Sequence, residues 1–295
     1  MQSVLNPQGP DAAIIAEISW VLFGGGAVIF TVVMALAACA VLGRIRGASE
    51  KLLIVGGGIV FPLVTLSALL VYSLVRAAAL HPADPAALRI EVVGEQWWWR
   101  VHYLDADGRR DFATANEIRV PVGRPVELQL KSADVLHSFW VPALAGKLDM
   151  IPGRTNVLRV RADRAGEFRG QCAEYCGGPH ALMALHVVAE EPEQFQRWVA
   201  SQRKPSTGKN PLFTSHCGAC HTVRGTAAVG TRGPDLTHVG SRLTIGAGLL
   251  PNNAGALAGW IASSQHLKPG NLMPSFETFS GAELRELAAY LEGLK

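Results

Sequence analysis

Two long apolar stretches near the start of the chain dominate its pattern of hydrophobic and polar positions. Residues 52–75 include no charged side chain, and residues 14–42 include only Glu17. Each stretch exceeds the roughly 20 residues with which an α-helix crosses the hydrocarbon core of a bilayer. The pattern therefore predicts a transmembrane helical hairpin, with spans at about 16–42 and 52–77.

The short connection between the two spans predicts how the hairpin is oriented. It reads GRIRGASEK and carries Arg44, Arg46 and Lys51 against Glu50. Positive residues in short loops stay on the cytoplasmic side of a membrane. We therefore expect both termini, and everything from about His81 onward, on the periplasmic side of a bacterial inner membrane. Glu50 is interpreted as an interfacial charge, with a role in a proton pathway as the alternative.

Small residues and one proline mark the inside of the spans. Glycine triplets occupy positions 24–26 and 56–58. Because small residues let helices approach closely in lipid, we expect the two spans to pack together or against a partner. Pro62 lacks a backbone N–H group and is expected to kink the second span.

The pattern changes to short alternating segments after the turn-rich sequence HPADP at 81–85. In VELQLKSA (126–133), apolar residues alternate with polar ones, as in a half-buried strand. Turn signals such as DADG, PVGRP and IPGR recur between segments of this kind, up to about Glu191. This region predicts a β-sandwich or barrel of roughly 100 residues.

A third unit follows a segment that is a linker by its composition, residues 201–211. Helical spacing is present in ALAGWIASS and in SGAELRELAAYLEGL. Ser280 and Glu283 form a capping-box pattern at the start of the second of these helices. Residues 212–295 are therefore predicted to form a small all-α domain.

Composition narrows the function classes. Hydrophobic residues make up 49% of the chain and charged residues 17%, and the mean hydropathy is +0.21. The 27 Lys and Arg residues are nearly balanced by 24 Asp and Glu residues. This balance argues against a disordered or nucleic-acid-binding protein. A membrane protein with a large water-exposed part is the class that remains.

Five cysteines indicate the candidate chemistry. Cys39 lies in the first span, where it is interpreted as a small apolar residue. The other four form two close pairs, Cys172 with Cys176 and Cys217 with Cys220. Disulfides would be the first expectation in an exported domain. However, each pair is too closely spaced to close a large loop, and each lies among other potential metal ligands.

The first pair belongs to a soft set of metal ligands. The segment CAEYCGGPHALM supplies Cys172, Cys176, His180 and Met183, and DVLHSFW supplies His137. Thiolates, imidazoles and a thioether together suit copper better than calcium, magnesium or manganese. A mononuclear blue-copper site uses one cysteine, so the second cysteine favours a dinuclear centre with bridging thiolates. A zinc site, which would leave Met183 unexplained, and a plain disulfide are the alternatives.

The second pair lies in CGACH, which matches the C-x-x-C-H signal for covalent attachment of haem c. Cys217 and Cys220 would bond to the haem vinyl groups, and His221 would be the proximal iron ligand. Met273, in KPGNLMPSF, is the predicted sixth ligand. A redox dithiol or half of a zinc site would be the alternatives for the bare motif. Two histidines are rival sixth ligands, His238 and His266.

Together these motifs resemble subunit II of haem–copper cytochrome c oxidases. The resemblance rests on C-x-E-x-C-x3-H-x2-M, DVLHSFWVP, the IPGR turn and the GEQWWW run, and it covers about residues 14–200. It implies a two-helix hairpin carrying a cupredoxin domain, with a dinuclear CuA centre, on the outer side of the membrane.

The same resemblance implies roles for individual residues. The Glu174 side chain would help to bind a magnesium ion at the interface with subunit I, since a carboxylate suits that hard ion. Trp97, the first tryptophan of its run, would be the point where electrons enter. The implied copper ligands are Cys172 and Cys176 as bridges, His137 with Met183 on one copper, and His180 with the Glu174 carbonyl on the other.

Residues 209–295 resemble small class I cytochromes c, with the attachment motif near the start and the methionine loop before a terminal helix. By that resemblance the Pro234 carbonyl would accept a hydrogen bond from His221. Arg242 is a candidate to meet a haem propionate, and a solvated surface charge is its alternative interpretation. A thioether ligand such as Met273 raises the haem potential, which suits a donor to CuA.

The whole chain is therefore identified as similar to subunit II of a caa-type cytochrome c oxidase, with its electron carrier fused. An external donor, such as a cytochrome c or the bc complex, would reduce the haem, and electrons would then pass to CuA and subunit I. Oxygen would be reduced and protons pumped there. The predicted architecture is a membrane-anchored hairpin (1–80), a β-sandwich cupredoxin domain (81–200), a linker (201–211) and an all-α cytochrome c domain (212–295).

Other functions use the same motifs. The chain could supply CuA to a nitric oxide or nitrous oxide reductase, or act alone as a membrane-tethered electron carrier or copper-delivery protein. A quinol-oxidase subunit is disfavoured because both metal motifs are intact. In the oxidase hypothesis, a tether of about ten residues would hold the donor at roughly millimolar effective concentration.

Overall fold

The computed structural model describes residues 3–44, 49–78, 80 and 88–295. Within them, two helices are long and apolar enough to cross a bilayer: α1 at Pro10–Val41 and α2 at Leu52–Ala77. This confirms the predicted pair of apolar helices, although α1 begins earlier than the predicted span. Arg46 and the HPADP turn lie outside the described residues, so the expectations that depend on them stay predictions.

Polar contacts join the two helices. The Tyr72 hydroxyl donates a hydrogen bond to Glu17 Oε1 at 2.8 Å, and Arg76 forms an ion pair with the same carboxylate. α2 is wound as a π-helix over Leu52–Val60 and as an α-helix from there on. The change of winding falls immediately before the predicted kink position, Pro62.

The first glycine triplet faces open space within this chain. Among the described residues, a Cβ atom built on Gly24, Gly25 or Gly26 would meet nothing within 4 Å. The two helices therefore do not pack closely at this triplet. Contact of this triplet with a partner stays a prediction.

Ten strands form the middle domain as two five-stranded sheets. Their bounds are β1 Leu88–Glu95, β2 Trp98–Leu104, β3 Arg110–Ala115, β4 Glu117–Pro121, β5 Val126–Ser132, β6 His137–Trp140, β7 Leu148–Met150, β8 Asn156–Val160, β9 Gly166–Cys172 and β10 Ala184–Glu190. One sheet has the order β3-β2-β1-β5-β8 and the other β4-β10-β9-β6-β7. The pairs β1–β5 and β4–β10 are parallel, and the others are antiparallel.

Alternation of apolar and polar residues buries one face of each sheet. In β5, Val126, Leu128 and Leu130 are at most 1% exposed, while the polar residues between them are half-buried. Trp99 and Phe139, from opposite sheets, meet edge to face with ring centroids 5.7 Å apart. The predicted β-sandwich is confirmed, and its buried layer fixes β6 and β9, whose ends carry candidate metal ligands.

Helices α3 (Pro192–Gln202) and α4 (Pro211–His216) flank the rest of the predicted linker. Hydrogen bonds attach this segment to the C-terminal domain. The Ser206 N–H group donates to the Arg224 carbonyl at 2.8 Å, and the Arg224 guanidinium donates to the Gln202 carbonyl at 2.5 Å. These bonds limit how freely the connection can move.

The C-terminal domain is built around two packed helices, α5 (Ala254–Leu267) and α6 (Gly281–Glu292), which confirms both helical predictions. The predicted capping box is also present. The Ser280 hydroxyl accepts a hydrogen bond from the Glu283 N–H group, and the Glu283 carboxylate accepts one from the Ser280 N–H group. The most buried apolar side chains of this domain include Phe213, Val223, Ala228 and Leu287.

Candidate metal and haem sites

The candidate copper ligands converge from the ends of three strands and one short turn. His137 begins β6, Cys172 ends β9, and Met183 immediately precedes β10. Cys176 and His180 lie in the connection between β9 and β10, the latter in a 3₁₀ turn. His137 is fully buried, and Cys172, Cys176 and Met183 are at most 4% exposed. The structure therefore brings together the five side chains that the sequence singled out.

Distances between the donor atoms are those of a cluster. The two cysteine Sγ atoms are 3.7 Å apart. His137 Nδ1 lies 3.8 Å from Cys172 Sγ, and His180 Nδ1 lies 3.5 Å from Cys176 Sγ. Met183 Sδ lies 3.9 Å from Cys176 Sγ. Donor atoms of His137, Cys172 and Cys176 all lie within 4.8 Å of one another.

Neighbouring groups fix the ring of His137. Its Nε2 atom lies 2.8 Å from Asp134 Oδ1, which turns Nδ1 toward the sulfur atoms. A Cβ atom on Gly94 would stand 2.8 Å from the His137 ring. Glycine at position 94 therefore makes room for the imidazole, and Asp134 sets its orientation.

The two thiols ionise unequally. The hydrogen bond with Cys176 lowers the pKa of the Cys172 thiol, and the same contact with the resulting thiolate raises the pKa of Cys176. Burial favours a lower pKa for His137, but its contacts with Cys172 and Asp134 outweigh burial and raise that pKa. Because ligating thiols must be deprotonated, loading the site with metal releases protons.

This donor set fits a copper pair better than its alternatives. A disulfide needs sulfur atoms about 2.05 Å apart, whereas Cys172 and Cys176 hold theirs at 3.7 Å. A zinc site of two thiolates and two imidazoles would leave out the Met183 sulfur, which is buried beside Cys176. Thiolate, imidazole and thioether donors together favour copper.

Glu174 presents two separate groups. Its backbone carbonyl lies 3.2 Å from Cys172 Sγ and so belongs to the cluster. Its carboxylate lies 3.6 Å from Lys147 Nζ, and both side chains are partly exposed. The carboxylate thus lies partly exposed beside a lysine, and magnesium binding there stays a prediction.

The three consecutive tryptophans have different surroundings. Trp99 is fully buried in the sandwich core, and Trp98 lies under the guanidinium of Arg100, 4.6 Å from the ring centroid. Trp97 is half-buried, and its Nε1 atom donates a hydrogen bond to the Cys176 carbonyl at 2.9 Å. Of the three, Trp97 is therefore the one joined by a single hydrogen bond to a candidate copper ligand.

The CGACH motif directly follows α4. Cys217 is half-buried and Cys220 is exposed. The His221 Nδ1 atom lies 2.9 Å from the Pro234 carbonyl, as the resemblance to cytochromes c implies. Burial lowers the pKa of His221 in spite of that hydrogen bond, which keeps the imidazole neutral. A Cβ atom on Gly233 would stand 2.5 Å from the ring, so glycine at 233 is needed for this approach.

These features fit a covalently bound haem. With Nδ1 of His221 engaged by Pro234, the free Nε2 atom has the lone pair that an iron ligand requires. Arg242 donates to the Asp235 carbonyl, and its buried Nε atom has no partner within the described part of the chain. A group with a hydrogen-bond acceptor, such as a propionate, would satisfy that atom.

The candidate sixth ligand lies in a loop whose backbone is held by hydrogen bonds. The Met273 N–H group donates to Asn271 Oδ1 at 2.8 Å, and the Met273 carbonyl accepts from Ser264 and Gln265 at 2.9 and 2.7 Å. These bonds fix the backbone of the loop beside α5. The Met273 side chain packs partly buried against the core of the domain.

The two rival ligands are less well placed. His238 is 7% exposed, and its Nε2 atom is engaged at 3.0 Å with the Lys204 carbonyl of the linker segment. His266 is exposed in the last turn of α5. Met273 therefore stays the preferred prediction for the sixth position.

Several supporting residues were missed from the sequence. Asp134 precedes His137 by three positions. That short spacing was the one sequence signal that its carboxylate could reach the imidazole. No sequence signal marked Gly94. A glycine is needed there because the His137 ring, 43 positions later in the chain, packs against it. Lys268 is a buried lysine with two partners in another domain, and a local pattern does not reveal such contacts.

Comparison with known families agrees with both parts of the chain. The family model of the periplasmic domain of cytochrome c oxidase subunit II matches residues 102–190. The cytochrome c family model matches residues 207–295. The predicted fold class, with a cupredoxin-like sandwich and a cytochrome c domain, is thereby confirmed.

Named relatives extend the match across most of the chain. Cytochrome c oxidase subunit 2 of Alkalihalophilus pseudofirmus is 37% identical over 251 residues, which are 80% of this chain and 71% of that protein. Cytochrome c oxidase subunit 2 of Bacillus subtilis is 32% identical over 228 residues, 71% of this chain and 63% of that protein. The chain thus matches less than two thirds of the second relative's length.

A solved structure is similar to part of the chain. The periplasmic domain of subunit II of cytochrome oxidase (CoxB) of Bradyrhizobium japonicum is 34% identical to this chain. The match covers 42% of this chain and 96% of that one, with a TM-score of 0.38.

Proposed function

The chain belongs to the family of cytochrome c oxidase subunit II, and from this membership we propose that it is the electron-accepting subunit of a caa-type oxidase. Membership makes it part of an oxidoreductase that contains subunit I, and its two domains imply copper and haem c. The observation that carries the proposal is the presence, in one chain, of the copper-ligand cluster around Cys172 and the haem-attachment motif at Cys217.

We assign the copper ligands as the sequence predicts. Two cysteine sulfur atoms and two imidazole nitrogen atoms converge, and the distances between neighbouring donor atoms are at most 3.8 Å. This convergence supports the assignment. A copper pair held by these side chains would share each transferred electron, so each ion would change charge by only half a unit and its ligands would rearrange little. The assigned ligands are Cys172 and Cys176 as bridges, His137 with Met183, and His180 with the Glu174 carbonyl.

In the C-terminal domain we assign Cys217 and Cys220 to covalent attachment, and His221 and Met273 to the iron. When bound, the haem and the copper pair supply reversible one-electron chemistry. The protein's part is to hold the His221 ring through Pro234, and to keep Met273 in a loop fixed by hydrogen bonds.

The proposed direction of transfer is from the haem to the copper pair and on to subunit I, where oxygen is reduced and protons are pumped. Trp97 is proposed as the point where electrons enter the copper domain, because it bonds to the Cys176 carbonyl. The Glu174 carboxylate is proposed to bind magnesium at the interface with subunit I. An external cytochrome c or the bc complex would reduce the haem.

The membrane arrangement is proposed from the apolar helices and the basic connection. Both termini and both metal-binding domains would lie on the periplasmic side of the bacterial inner membrane, with Arg44 and Lys51 on the cytoplasmic side. The proposed units are the hairpin at 1–80, the copper domain at 81–200, the linker at 201–211 and the cytochrome domain at 212–295.

Oxygen consumption by the complex that purifies with the chain tests the proposed reaction. We expect a polytopic haem protein to copurify in detergent and the complex to reduce oxygen. Reduction of nitric oxide or nitrous oxide in place of oxygen would instead support the reductase alternative. A chain that never copurifies with such a protein would be a stand-alone carrier.

Replacement of Met273 by alanine is expected to lower the haem potential and disturb the low-spin spectrum. A thioether ligand raises the potential, and axial ligands set haem potentials over a range of roughly 0.8 V, so the fall should be easily resolved. A redox titration followed optically measures it. A matched change in the exposed Leu272 next to it should leave the potential unchanged. An unaltered potential and spectrum in the Met273→Ala protein would assign the sixth position to a histidine.

A further inference from the structure

One buried lysine joins the C-terminal domain to the copper domain. Lys268 follows α5 and is 2% exposed. Its Nζ atom donates hydrogen bonds to the carbonyls of Trp97 at 2.6 Å, Leu182 at 2.9 Å and Gly246 at 3.1 Å. An ammonium group has three N–H donors and no acceptor, so these three carbonyls match its capacity in full.

The carbonyl partners in the copper domain are next to the candidate ligands. Trp97 bonds through its indole to the Cys176 carbonyl, and Leu182 immediately precedes Met183. A Cβ atom on Gly270 would stand 3.7 Å from the Trp97 ring, so the chain after Lys268 lies against that ring. One ammonium group therefore joins two segments beside the candidate copper ligands, at Trp97 and at Leu182, to the C-terminal domain.

A tight loop at residues 246–248 contacts the copper domain at Ala184. Gly246, Ala247 and Gly248 all have positive φ angles, of 65°, 65° and 76°. The Ala247 carbonyl accepts a hydrogen bond from the Ala184 N–H group at 3.0 Å. A Cβ atom on Gly248 would stand 2.8 Å from Ala184 Cβ, so a larger residue would not fit. An alanine in this backbone region is uncommon and persists where its surroundings determine it.

Two further contacts lie at other points of the same interface. The Leu243 N–H group donates to Glu117 Oε2 at 2.7 Å, and Arg100 donates to the Thr231 carbonyl at 2.9 Å. Together with the bonds of the linker segment, they restrain the C-terminal domain from several sides. The segment predicted as a linker is therefore itself held by hydrogen bonds to the C-terminal domain.

We propose that Lys268 is a positioning residue that fixes the cytochrome domain against the copper domain at Trp97, so that the two operate as one docked unit. The role rests on backbone carbonyls, which a hydrophobic side chain of similar length would leave unsatisfied. Burial lowers the pKa of Lys268 to about 7, and negative charge on the Cys176 sulfur opposes that shift. The three carbonyls supply the compensation that a buried ammonium needs.

The consequence for electron transfer rests on the function proposed above. With both groups bound, each transfer would oxidise the haem by one electron and reduce the copper pair by the same electron. In a docked unit the cytochrome domain would not have to move toward the copper domain before this step. The C-terminal domain already covers Trp97. An external donor would therefore approach the cytochrome domain and not Trp97.

Hydrogen exchange of the full chain in detergent, followed by mass spectrometry, tests the docking itself. In the unaltered protein, peptides containing the Ala184 and Leu243 amides should exchange as slowly as sheet peptides. Lys268→Met should speed exchange at both by roughly tenfold or more, since three hydrogen bonds across and beside the interface are lost. A peptide containing the Val122 amide, bonded to Glu190 within the copper domain, should stay unchanged.

The matched control is Lys209→Met, which removes the same charge from an exposed lysine near the cytochrome domain. It should leave all of these peptides as they are. Rapid exchange at Ala184 and Leu243 in the unaltered protein would overturn the proposal without any variant. The proposal would also be overturned if Lys268→Met left exchange at Ala184 and Leu243 unchanged, in a protein whose Val122 peptide shows that the sandwich is folded.

Transfer from haem to copper in the loaded protein gives a second readout. After photochemical reduction of the haem, the rate in the unaltered chain should not depend on solvent viscosity. In Lys268→Met it should fall about tenfold and become viscosity-dependent, because the docked fraction limits it. A viscosity-dependent rate in the unaltered chain would overturn the docked unit. Absence of a copper pair would contradict the proposed function, while the exchange result would still decide the docking.

Discussion

Replacement of Cys172 by serine is expected to abolish the mixed-valence copper spectrum while covalent haem is retained. Cys172 Sγ lies in contact with Cys176, His137 and the Glu174 carbonyl, so its removal takes away the sulfur atom that adjoins three other donors. A serine hydroxyl is a hard donor and does not replace a bridging thiolate. Loss of an outer partner of a metal ligand costs roughly 10–100-fold in affinity, and loss of a bridging ligand should exceed that range.

Metal analysis with optical and EPR spectra of the purified chain measures this effect. Cys39→Ser is the matched control, since it makes the same exchange in α1, outside the cluster. That protein should keep two copper ions per chain and the spectrum of a shared electron. A normal copper signal in Cys172→Ser would refute the ligand assignment. Zinc, or a single copper, in the unaltered protein would remove the basis of the respiratory role.

Local patterns predicted the elements whose formation is decided by near neighbours. The alternation of Val126, Leu128 and Leu130 fixes which face of β5 is buried, because the side-chain period of a strand is two. Ser280 and Glu283 are three residues apart and complete their capping box within one helical turn. In both cases the interacting groups lie in one short stretch of sequence.

The candidate copper cluster was accessible for a chemical reason. Four of its side chains lie within twelve residues, Cys172 to Met183, and their soft donor atoms have few other common uses together. His137 is 35 residues earlier, and it joined the set as a second imidazole whose distance in space the sequence did not give. The sandwich explains its position, because β6 pairs with β9 and places Phe139 opposite Cys172.

The contacts between domains could not be predicted in this way. Lys268 would be an ordinary solvated lysine by its local sequence, and its acceptors at Trp97 and Leu182 are 171 and 86 residues away. The composition of residues 201–211 predicted a linker, and composition does not reveal the hydrogen bonds of Ser206 and Arg224. Such contacts depend on the packing of whole domains.

Replacement of Cys220 by serine is expected to weaken or prevent covalent attachment of haem, because only the Cys217 thioether could then form. The exposed position of Cys220 means that the change should cost the polypeptide fold little. The measurement is whether haem remains with the polypeptide after denaturation and extraction. The copper cluster is the internal control, since Cys172 and Cys176 lie in a separate domain and should retain their spectrum. In the Cys217→Ser, Cys220→Ser double variant no covalent haem should remain, and haem that still accompanies the denatured chain would refute attachment at this motif.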